Sequence, residues 1–151
     1  MNASTDITAT IIEELYGQSL ILADDVRAAF DLATPREVGD DIVRIALSTE
    51  GLKTTTRIMH VLAWLLNQRA YFRGEMTAYQ LERHGRLPPD RPPEDSQMAL
   101  LEIPTQLLIL ETQVLHARVA RLDRANREGD PSGIEGPTAM QARLRHAFGR
   151  H

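Results

Sequence analysis

The stretch from Ser48 to Glu75, STEGLKTTTRIMHVLAWLLNQRAYFRGE, constrains the fold of this chain more than any other. It has the character of a long helix with apolar residues on more than one side. At about 100° per residue from Leu52, the residues Leu52, Thr55, Ile58, Met59, Leu62, Leu65 and Leu66 share one broad face. Val61, Trp64 and Tyr71 fall roughly opposite. A helix packed on one side needs a single apolar stripe, whereas one apolar on two sides is central to a bundle or sandwiched in an oligomer. The expectation is a protein that works through helical surfaces which other helices cover, not through a pocket of catalytic side chains. Val61, Trp64 and Tyr71 are expected at a dimer or bundle interface. A homodimer is expected, because one three-helix bundle has trouble covering both sides of such a helix. Cover from the first helix of the same protomer is the competing explanation.

The rest of the chain supplies partners for that helix. A first helix is expected from about Asp6 to Leu32, with Ser4, Thr5 or Asp6 as N-cap. In it Ile11, Leu15, Leu22, Val26 and Ala29 recur at helical spacing. Pro35 ends it, because the residue before proline avoids the α region. The second helix is expected over about Asp41 to Arg73, closed by Gly74. EMTAYQLERHG reads as a short helix ending at Gly85. In RLPPDRPPEDSQ the residues Pro88, Pro89, Pro92 and Pro93 exclude helix, so this is an extended connector. A last long helix runs from about Met98 to Arg127, with Pro104 moving its start toward Glu102. Leu101, Leu108, Leu115 and Leu122 recur every seven residues there, and Leu107, Leu110 and Val114 widen the face. No strand-like alternation occurs. The fold class is therefore all-α, a three-helix bundle with long antiparallel helices over 1–127. Residues 128–151 are expected to form a flexible tail, because REGDPSGIEGP lacks the apolar groups to order itself. Met140, Leu144 and Phe148, flanked by Arg143 and Arg145, have the form of a helix that folds into a partner's groove. Docking of the tail on its own bundle is the plain alternative.

Composition removes several function classes. The 151 residues suit one domain. There is no cysteine, which excludes disulfides and thiol chemistry and fits a reducing cytoplasm. No run of about 18 apolar residues exists to span a membrane, and the acidic N-terminal stretch is not expected to act as a signal peptide. The net charge of −4 is uneven, since residues 1–41 hold nine acids against two bases and the remainder twelve against fifteen. Such asymmetry steers association with a charged partner, or simply reflects the solvated face of each helix. The histidines His60, His84, His116, His146 and His151 form no metal-ligand spacing. No phosphate loop or nucleophile motif is present, so neither enzyme activity nor a cofactor is expected.

Two charged features stand out. Arg118, Arg121, Arg124 and Arg127 spiral along the end of the last helix, where they suit the negative end of its dipole. They also offer a partner-binding surface, for a regulator or, against the net charge, for nucleic acid. Glu111 lies inside the apolar face of the last helix, and a buried carboxylate needs a partner. If the second and last helices are antiparallel across the connector, Arg69 falls near Glu111 and the pair sets helix register. The wide leucine faces leave a third option, a cavity for a small apolar ligand between those helices.

Ser48-Thr49-Glu50, Thr55-Thr56-Arg57, Met59, Trp64-Leu65-Leu66, Arg69-Ala70 and Gly74-Glu75 resemble the signature helix of the alphaproteobacterial regulator of CtrA degradation (RcdA) family. Ile103-Pro104, Leu107 and Arg118-Val119-Ala120-Arg121-Leu122-Asp123 resemble its last helix. The resemblance covers about Asp41–Asp123, and the first helix more loosely. It implies a three-helix bundle, usually dimeric and without enzymatic activity. It also implies an adaptor that helps a primed ClpXP protease receive regulatory proteins during the cell cycle, with a C-terminal tail in partner contact.

Overall fold

The computed structural model describes residues 3–31 and 41–128 of the chain. Three long helices dominate: α1 (Ala3–Ala29), α2 (Asp41–Phe72) and, last in the chain, α5 (Ile103–Arg127). Two short helices, α3 (Ala78–His84) and α4 (Asp95–Met98), lie between α2 and α5. No strand occurs among the described residues. The protein is an all-α helical bundle.

Local chemistry sets the helix ends. Gly74 takes a φ of +76°, which a side chain would disfavour, and closes α2. There the Glu75 N–H donates to the Ala70 carbonyl at 2.9 Å and the Gly74 N–H to that of Tyr71 at 3.1 Å, satisfying carbonyls the helix leaves open. Thr77 and Gln80 exchange backbone and side-chain hydrogen bonds and start α3 with a capping box. In α5 Glu102 is the N-cap, and Pro104 sits in the first turn, where a missing N–H costs no helical hydrogen bond.

The connector decides the topology. Arg69, late in α2, reaches Glu13, early in α1, while Gly51, early in α2, meets Phe30 just beyond the end of α1. These two helices are antiparallel. Early α2 (Ala46, Leu47) packs with early α5 (Leu101, Ile109), and Trp64 reaches Asp123 near the end of α5. So α2 and α5 run parallel, which corrects the expected antiparallel arrangement. The reason is the proline-rich segment. It does not turn the chain but carries it back along α2. From Leu87 to Pro92 an extended chain rises about 3.1 Å per residue, about 16 Å in all, matching the helical rise between Trp64 and Lys53.

The main core joins Ile12, Leu15 and Leu22 of α1 to Ile58, Val61, Trp64 and Leu65 of α2 and Leu115 and Val119 of α5. A second cluster of Ala46, Leu47, Leu101 and Ile109 takes in Phe30 and Met98. Burying an aliphatic side chain of this kind stabilises the fold by about 1.5–3 kcal/mol. Gly51 allows α1 and α2 to approach here, since a Cβ on it would lie 2.8 Å from the Phe30 ring.

Val61 and Trp64 are thus covered inside the protomer, and Tyr71 stands at the surface. The first helix does cover that side, so these residues no longer call for a second copy. The opposite, leucine-bearing face is the divided one. Ile58 and Leu65 are buried at its edge, while Leu52, Met59 and Leu66 face solvent.

Candidate protein-interaction surface

The inward side of α2 carries a polar ladder of Glu50, Arg57 and Trp64 at seven-residue spacing, all fully or almost fully buried. Two turns per seven residues bring each onto the side facing α5 and the connector. The Arg57 Nε donates to Asp90 Oδ1 at 2.7 Å and Nη2 to the Arg91 carbonyl at 2.9 Å. Nη1 donates to the Thr112 hydroxyl of α5 at 3.0 Å. Thr112 and Thr54 pass their own hydroxyl protons to the Ile109 and Glu50 carbonyls, which leaves Thr112 a lone pair for the guanidinium. Lys53 donates to Glu50 at 3.1 Å and reaches the Pro92 carbonyl at 3.4 Å. His116 Nε2 donates to the Pro88 carbonyl at 3.1 Å.

The far end of the ladder is held the same way. Trp64 Nε1 donates to Asp123 Oδ1 at 3.1 Å, and the Leu87 N–H donates to Asp123 Oδ2 at 3.3 Å. Arg127 approaches that same oxygen at 3.2 Å. A buried ion pair gains little unless its remaining donors and acceptors are satisfied, and here the connector's main chain satisfies several of them. This network is a clamp on the crossover between α2 and α5. Its side chains are buried between α2, the connector and α5, in the region that the third option, a ligand cavity between those helices, would need.

The expected Arg69–Glu111 pair does not form. Glu111 is exposed on α5. Arg69 instead donates to Glu13 at 2.8 Å and lies over the Tyr16 ring, 4.1 Å from its centroid. The Glu13 hydrogen bond raises the Arg69 pKa above its ordinary value. The parallel course of α5 is the cause, since it puts Arg69 and Glu111 at different levels of the bundle.

The outward side of α5 is apolar where a solvated helix would be polar. Ile103, Leu107, Leu110 and Val114 stand exposed at 4-3-4 spacing, although the sequence suggested a core-facing role for the last three. The row leads into an open groove of about 300 Å³ between α1 and α5, whose apolar lining is the buried Leu22 and Leu115 and the exposed Ile21 and Val114. Gln18, Asp25, Glu111 and Arg118 line its rim. Of the arginine spiral, Arg118 joins this groove, Arg121 and Arg124 are exposed, and Arg127 is tied to Asp123. The groove thus brings together Arg118 and Glu111, two residues the sequence singled out for different reasons. Ile21 and Asp25 carried no signal of their own, because α1 alone does not say which of its apolar residues the bundle leaves bare. Met140, Leu144 and Phe148 lie outside the described residues. So do all but the first residue of the tail.

No helix among the described residues is long and apolar enough to cross a membrane. Nor do three or more His, Asp or Glu side chains gather there in a form that could hold a metal ion. The architecture defines a class: an all-helical bundle in which buried polar side chains clamp an extended, parallel crossover. The chain belongs to DUF1465, a family described as protein of unknown function, whose model matches residues 3–148. Neither a curated protein nor a solved structure matches the chain.

Proposed function

We propose that this protein is a non-enzymatic, homodimeric adaptor that binds other proteins through its helical faces. The observation that carries this reading is the bare apolar row Ile103, Leu107, Leu110 and Val114, which meets Ile21 across the α1/α5 groove. Apolar surface of this kind, rimmed by polar groups, marks sites of protein contact. The rim charges Asp25, Glu111 and Arg118 supply orientation, and a helix laid into the groove is the mode that fits its shape. Resemblance of the second and last helices to the regulator of CtrA degradation family supplies the partners. These are the ClpX component of ClpXP and the regulatory proteins it degrades, and a cytoplasmic location is part of the same proposal.

The test is a degradation assay with purified ClpXP and a response-regulator cargo. Addition of the protein is expected to raise the cargo's degradation rate. Val114→Glu, at an exposed position, is expected to abolish that increase while the helical circular dichroism stays unchanged. No rate increase with the unaltered protein overturns the adaptor reading. An increase that Val114→Glu leaves intact moves the contact off this groove, with Arg121 and Arg124 the next surface to alter.

A further inference from the structure

The outer face of α2 is a second surface, distinct from the groove, and its polarity is inverted. Ile45, Leu52, Met59 and Leu66 are 60%, 66%, 58% and 47% exposed. They recur every seven residues and form a ladder about 32 Å long. Ser48, Thr55, Thr56 and Ala63 stand exposed beside them. Between Ile45 and Leu66 the charged side chains are Glu50, Lys53 and Arg57, and all three are buried. An ordinary surface helix places its charges outward and its apolar residues inward. Over these three heptads α2 does the reverse.

We infer that this face is the seam of the homodimer, with α2 of one copy packed antiparallel on α2 of a second copy. This inference rests on the homodimeric part of the proposed function and names its interface. Three observations select a second copy as the occupant. First, a seven-residue apolar period is matched best by another helix of the same period, whose side chains enter the gaps between its own. Second, a two-fold axis brings each residue near copies of its own type, so a self-pairing face works best without charge, and this one has none. The α1/α5 groove, with Asp25, Glu111 and Arg118 on its rim, lacks that property. Third, two such helices with their flanks bury on the order of 1,200 Å² in total, the lower bound for a specific interface.

Charge at the ends of the ladder sets the direction. Asp41 is exposed at the start of α2, and Arg73, one heptad beyond Leu66, is exposed just past its end. Antiparallel packing brings Asp41 toward Arg73 of the second copy, and parallel packing sets like against like. Antiparallel pairing of Ile45 with Leu66 and of Leu52 with Met59 puts the two-fold axis between Thr55 and Thr56. The small side chains there let the helices approach.

Sedimentation of the full chain at micromolar concentration tests the seam. The unaltered protein is expected at twice its 16.9 kDa mass. The double change Leu52→Glu with Met59→Glu is expected to weaken self-association at least tenfold and give the single mass. Ile7→Glu, at an exposed site on α1, is expected to leave the dimer intact. A dimer that survives the double change overturns the seam but keeps the homodimer, and a monomeric unaltered protein overturns both. Cross-linking gives a second measurement that holds even if the double variant fails to fold. The chain has no cysteine, so Thr56→Cys treated with diamide is expected to form a disulfide-linked dimer, and Tyr79→Cys, on α3, is not. Equal cross-linking of the two variants counts against the seam.

Discussion

The two sides of α2 carry the same seven-residue period and opposite chemistry. Glu50, Arg57 and Trp64 face inward, while Ile45, Leu52, Met59 and Leu66 face outward. A smaller version of the contrast occurs on α5, where Thr112, His116 and Asp123 are buried and Ile103, Leu107, Leu110 and Val114 are exposed. The difference teaches that polarity alone does not tell which side of a helix faces the core. A buried polar group is tolerated where its hydrogen bonds are met. Here the connector takes the Arg57, Lys53 and His116 donors and Asp123 of α5 takes that of Trp64, while Glu50 accepts from Lys53 through one oxygen and keeps the other, Oε1, without a partner. The outer apolar residues have no such internal partner, so they remain available to other chains.

If the inner ladder holds the crossover, Arg57→Ala is the most damaging single change. It strands Asp90 and releases the Arg91 carbonyl and the Thr112 hydroxyl, and removal of one partner of a buried pair costs about 3–5 kcal/mol. Urea unfolding followed by circular dichroism measures it, and a loss under about 1 kcal/mol would mean the clamp is ornamental. Trp64→Phe is expected to come second. It keeps an aromatic ring but removes the donor to Asp123, a charged acceptor, at a cost of about 1.5–3 kcal/mol. Circular dichroism is again the probe, since Trp64 is the only tryptophan.

Gly51→Ala tests how closely the helices of the core approach. Crowding against Phe30 costs about 1–3 kcal/mol, and the better helix propensity of alanine offsets about 1 kcal/mol of it. A modest net loss is expected, and a gain in melting temperature would show that Phe30 has room to move. The smallest effect is expected at Glu111. Because it is exposed, Glu111→Gln should shift stability by no more than about 0.5 kcal/mol. A loss like that at Arg57 would mean that Glu111 has a partner and that the outer side of α5 is not free.

Much of the architecture was legible in local chemistry. The periodicity announced three long helices, and Gly74 and Pro104 mark ends of α2 and α5 where sequence rules put them, whereas α1 begins at Ala3, ahead of the expected caps Ser4, Thr5 and Asp6. The proline run announced an extended connector, because four prolines within six residues leave helix no room. The Glu50–Arg57–Trp64 spacing was also visible, but its meaning was not, since the acceptors for Arg57 and Trp64 lie 33 to 59 residues away on the connector and α5. Arg69 was matched to the wrong carboxylate for the same reason.

What the sequence by itself determined is the three long helices, their approximate lengths and the existence of apolar faces, because these follow from interactions within a few turns of chain, whereas the short α4 (Asp95–Met98) lies where only an extended connector was expected. Only the tertiary structure decided that α5 runs parallel to α2, which face of α2 is inside, and which carboxylate Arg69 meets. Direction and burial are properties of the packed whole. A connector of this composition serves a short turn or a long crossover equally well, and the clamp that fixes the outcome is assembled from residues that meet only after the bundle has formed.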